Sequence, residues 1–61
     1  MTFSKQDAKD MWRNGESPTD ILRAAAHTGV EYPDAVWLVT DALKLKRDEV
    51  QEMEDSYMEQ A

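Results

Sequence analysis

The sequence predicts an all-α protein: a small three-helix bundle, or a four-helix one if the C-terminal half divides. Three observations point there. Gly15 and Gly29 stand where helices stop, and Pro18 and Pro33 where helices start. Apolar residues between these marks recur three and four apart instead of alternating. The chain has 61 residues, so it is read as one small helical domain over 1–61, with 46–61 an acidic helical extension. A chain of that size buries only about 60% of the surface it exposes when unfolded. With no cysteine there is no disulfide staple, so stability must come from helix packing or association.

The first helix is expected from about Ser4 to Asn14. Ser4 is a good N-cap, and Asp7 at the third helical position favours the exposed amides and the helix dipole. Phe3 can pack on Ala8 as a hydrophobic staple. Ala8, Met11 and Trp12 fall on one face, and Gly15 can supply the left-handed turn that ends the helix. The second helix is expected from Pro18 to His27 or Thr28. Ser17 caps it, Asp20 lies three residues on, and Ile21, Leu22, Ala25 and Ala26 form its apolar stripe. Gly29 ends it, with Val30 folding back.

The third helix begins near Pro33. Ala35, Val36, Leu38, Val39, Ala42, Leu43 and Leu45 cover roughly half of its wheel at 100° per residue. Neither Gly nor Pro occurs from Asp34 to Ala61. Val36, Val39, Leu43, Lys46, Val50, Met53 and Tyr57 keep a 3-4 spacing throughout, the seam of a continuous heptad helix. One long helix, kinked near Lys46, is therefore preferred. The alternative is a separate helix starting near Glu49, capped by Asp48 with Gln51. The expected core is Phe3, Met11, Trp12, Ile21, Leu22, Ala25, Val30, Val36, Val39 and Leu43.

Charge is unevenly distributed. Residues 1–30 carry four bases and four acids, whereas 31–61 carry three bases and nine acids, and net charge is −6. All six charges from Asp48 onward are negative. Such a tail repels phosphate backbones and attracts basic surfaces. A parallel self-paired coiled coil would set Glu49 against Glu54 of the other chain, which disfavours pairing through the tail.

Chemistry has little to work with. There is no Gly-rich phosphate loop, and His27, the sole histidine, falls on the polar side of its helix near Arg23 and Asp20. Asp48, Glu49, Glu52 and Asp55 lack the loop geometry of a calcium site. No catalysis, cofactor or metal is expected. The start of the chain lacks the apolar core of a signal peptide, and Ala35 to Val39 is too short to span a membrane, so a cytoplasmic protein without membrane contact is expected.

Trp37 stands out because the wheel places it opposite the apolar stripe, towards Thr40, Asp41 and Lys44. An exposed tryptophan ringed by polar groups is the composition of an interface anchor. The expected function is a non-enzymatic protein-binding module, an inhibitor or adaptor of bacterial or phage type, whose partner has a basic surface. Its contact residues are expected to be Trp37, Tyr32, Asp41 and Lys44, with Val50, Met53 and Tyr57 of the tail.

Ala25, Gly29, Val30, Ala35 and Leu38 set a small residue, a turn glycine and packing positions in the order of a tight helical corner. Over this third of the chain the sequence resembles the helix-turn-helix family. The resemblance implies a DNA-binding regulator acting as a homodimer, with the second helix entering the major groove. That helix starts with Glu31, Tyr32, Pro33 and Asp34, and the nearby cations Lys44, Lys46 and Arg47 follow later. Nucleic acid is therefore the alternative partner.

Overall fold

A computed structural model describes residues 3–60. Four helices follow in order: α1 (Lys5–Arg13), α2 (Pro18–His27), α3 (Tyr32–Leu43) and α4 (Arg47–Glu59), with no strand among the described residues. The first two form where their caps place them. The Ser4 hydroxyl accepts from the Asp7 amide at 3.3 Å, while Asp7 Oδ2 accepts from the Ser4 amide at 2.9 Å. The two bonds satisfy reciprocal orphan donors at the head of α1. Ser17 Oγ accepts from the Asp20 amide at 3.2 Å, with Pro18 in the first turn of α2. Gly15 (φ +88°) ends α1, and the Glu16 amide donates back to the Met11 carbonyl at 3.2 Å. Gly29 (φ +99°) turns the chain between α2 and α3. Side chains rarely adopt these left-handed angles, which is why glycine stands at both.

The expected continuous third helix is broken. α3 stops at Leu43, Lys44 takes a left-handed conformation (φ 56°, ψ 45°), and α4 starts at Arg47. The Leu45 amide donates to the Thr40 carbonyl at 3.1 Å, so the end of α3 is a Schellman turn built without glycine. Half-buried Leu45 packs against the core, as the apolar residue of such a turn does. The start of α4 also differs from the expected Asp48–Gln51 pair. Lys46 is the N-cap, and its amide donates to Glu49 Oε1 at 3.2 Å.

Folding back is favoured by burial. α4 packs mainly on α2 and touches α3 less extensively, while α1 packs mainly on α3 and less on α2. The radius of gyration is 10.2 Å, against about 10.5 Å for a fully folded chain of this length. Among the described residues no helix projects as a rod. The buried core is Ala8, Ile21, Leu22, Ala25, Ala35, Val39, Ala42 and Met53. Four of these eight are alanines, which let the helices approach closely around Ile21, Leu22 and Met53.

Several core expectations are corrected. Trp12 is 50% exposed, because α1 lies on two neighbours by a narrow stripe whose one buried residue is Ala8. Phe3, Met11, Val30, Val36 and Leu43 are half-buried and pack around the core, outside its centre. Met53, assigned from sequence to a partner-facing stripe, is 2% exposed and belongs to the core. Among the described residues no helix is long and apolar enough to cross a membrane.

Candidate partner-binding surface

Trp37 lies mid-helix on α3 with 74% of its surface exposed. Its neighbours Ala35 and Val39 point inward and are fully buried. With the helix fixed by those two, the indole is held outward on rigid backbone. Two shallow depressions meet at it. On one side Lys5 of α1 joins Asp34, Leu38 and Asp41. On the other, Val36 and Thr40 join Val50 of α4. The indole thus sits at a seam where three helices contribute to one surface.

The polar rim is ordered by charge. Asp41 forms an ion pair with Lys5 and a longer one with Lys44 at 3.8 Å. The hydrogen bond from Lys5 holds the Asp41 carboxyl below its ordinary value, helped by the positive charges of Lys5, Lys44 and Lys9. All of these groups are substantially solvated, so the pairs orient the rim more than they stabilise the fold. Beneath it, the Thr40 hydroxyl is buried without a hydrogen-bond partner. Leaving such a group unpaired costs about 1–3 kcal/mol.

The remaining expected contact residues divide into two groups. Trp37, Asp41, Lys44 and Val50 come together at this surface. Tyr32 and Tyr57 do not join it. Their rings pack on each other, with centroids 5.3 Å apart and planes tilted by 40°, and they latch the end of α4 to the start of α3. Burial raises the Tyr32 hydroxyl above its ordinary value, with smaller contributions from Glu54, Tyr57 and Asp55. Lys46 and Arg47 are exposed at the start of α4. Lys5 reaches Asp41 only because α1 packs on α3. No sequence spacing carries that signal.

The acidic side is separate and unneutralised. Asp48, Glu49, Glu52, Glu54, Asp55 and Glu59 all lie on α4, and none forms an ion pair among the described residues. The three ion pairs found involve Asp41 and Asp20 instead. Among the described residues no group of three or more His, Asp or Glu side chains converges as metal ligands would. Comparison with family models, with curated proteins and with solved structures gives no match.

Proposed function

We propose that this chain is a non-enzymatic protein-binding module that docks through Trp37 and presents its acidic C-terminal helix to a basic partner. The observation that carries the reading is the 74% exposure of Trp37 on a helix whose inward face is fully packed. A side chain of that size in water gives the folded monomer little, whereas buried in a partner it becomes a strong anchor. Truncating such an anchor typically costs about 2 kcal/mol or more, roughly thirtyfold in affinity. The six unpaired carboxylates of α4 support a basic partner, whose approach they would accelerate by long-range attraction. An inhibitor or adaptor that covers a cationic site on a larger assembly fits this arrangement.

The test places a photo-crosslinking residue at position 37 and, as a control, at exposed Gln6. The protein captured from 37 alone is purified and titrated with wild type and Trp37→Ala. Affinity is expected to fall about thirtyfold while helicity is kept. Equal affinity of the two chains refutes the reading.

A second reading, a small helix-turn-helix DNA-binding regulator acting as a dimer, draws on one observation. Lys5, Lys9 and Lys44 all act on Asp41, so cations from α1 and from the end of α3 gather on one side. Lys46 and Arg47 follow Lys44 in the same turn region. Duplex binding in a low-salt gel shift that weakens steeply with added salt would favour it.

A further inference from the structure

A second groove lies away from Trp37, where the end of α1 and the start of α2 face α4. It has a volume of about 370 Å³ and is lined by Trp12, Thr19, Glu49, Glu52 and Met53 among others. Glu49, Glu52 and Met53 share a face of α4, since steps of three and four residues bring helical positions into register. Met53 is the buried floor, Trp12 is a half-exposed wall, and the two carboxylates form the rim. Thr19, only 8% exposed, lines the groove as well and places a hydroxyl at its edge.

The polar groups present are mostly acceptors, and their summed field is negative. Each helix N-terminus contributes about half a positive charge, and the ends of α2 and α4 both lie here. Two full carboxylates, together with the C-terminus of α1, outweigh them. Among the described residues no cation forms an ion pair with Glu49 or Glu52. Arg13 and Arg47, the nearest arginines in sequence, neither line the groove nor pair with Glu49 or Glu52. Glu49 spends one oxygen on the Lys46 amide and keeps the other.

We infer that this groove receives an arginine side chain from the basic partner, with the guanidinium stacked on Trp12 and hydrogen-bonded to Glu52, Glu49 and Thr19. Arginine suits it better than lysine. Its planar head stacks on an aromatic face, and its five donors reach several acceptors at once, whereas an ammonium is a compact, strongly hydrated charge. The inference rests on the reading of the chain as a partner-binding module and supplies the partner's chemistry. It concerns a surface distinct from Trp37, so the two can fail separately.

The probe is a set of three short blocked peptides, identical except for a central arginine, lysine or citrulline. Each is titrated into the full chain at low salt while the two indole N–H resonances are followed by NMR. The arginine peptide is expected to shift the Trp12 resonance and leave that of Trp37 in place. Lysine should bind about threefold more weakly, and neutral citrulline should give no saturable shift. Glu52→Gln should weaken the arginine peptide about fivefold, and the exposed control Glu59→Gln should not. Trp12→Phe keeps a stacking face and should retain most binding, whereas Trp12→Ala should not. Equal binding of arginine and lysine, or equal effects of Glu52→Gln and Glu59→Gln, would reduce the groove to diffuse charge attraction and overturn the inference. A shift confined to Trp37 also overturns it while leaving the Trp37 reading intact.

Discussion

Met53→Ala tests the placement of α4 directly. Met53 is the one buried residue of that helix, at 2% exposure, and half-buried Val50 and Tyr57 flank it on the same face. Truncating a buried methionine to alanine costs about 2–5 kcal/mol, the lower end applying where surroundings can relax. The open groove beside Met53 lets the site collapse or hydrate, so about 2–3 kcal/mol is expected here. A chain of this length has roughly 3–9 kcal/mol in all, at about 0.05–0.15 kcal/mol per residue. The substitution therefore removes about a fifth or more of the total stability. In a domain of this size each kcal/mol moves Tm by about 4–8 °C, so Tm should fall by about 10–20 °C. Circular dichroism at 222 nm against temperature and urea is the assay. Met58→Ala is the control, because Met58 is on the same helix but 59% exposed. Should Met53→Ala shift Tm no further than Met58→Ala does, α4 is not docked as described.

Three further outcomes follow from the backbone and the charges. Lys44→Gly relieves the left-handed angle at the end of α3 and should raise stability by about 0.5–1 kcal/mol in urea melts; a decrease would mean the turn is built otherwise. Gly29→Ala should cost about 1 kcal/mol through backbone strain alone, since a Cβ there meets open space. A D-alanine introduced at 29 by chemical synthesis should restore the loss. Asp41 has a lowered pKa, so its contribution to the α1–α3 contact is present above the ordinary carboxyl value of 3.8 and lost as pH falls through the lower folded value. Lys5→Gln should move the Asp41 carboxyl titration upward, and an unmoved NMR titration curve would exclude the Lys5 contact.

What the sequence shows well is local. Ser4 with Asp7, Ser17 with Pro18, and the glycines at 15 and 29 act within one turn of themselves, and each helix boundary they mark lies where they put it. The break at Lys44 is different in kind. Strong helix formers fill positions 43–47, and the heptad spacing runs straight through them. Tertiary burial of Leu45 and Met53 outweighs that local preference and draws a lysine into an angle usually left to glycine. The core shows the same limit. Ala8, Ala35 and Ala42 are buried because helices cross closely there, and a wheel weights bulk over proximity. The wheel does place Trp37 outward, since that follows from one helix alone, but it groups Trp12 with Ala8 and Met11 and misses how narrow the covered stripe of α1 is.

Both indoles of this chain are wet in the folded state, Trp37 at 74% and Trp12 at 50% exposure. Trp37, the more exposed of the two, will therefore emit much alike in native and denatured chains, so the change in intrinsic fluorescence on melting comes mainly from Trp12. The same property makes the Trp37 indole a quiet background against which an arriving ligand would stand out.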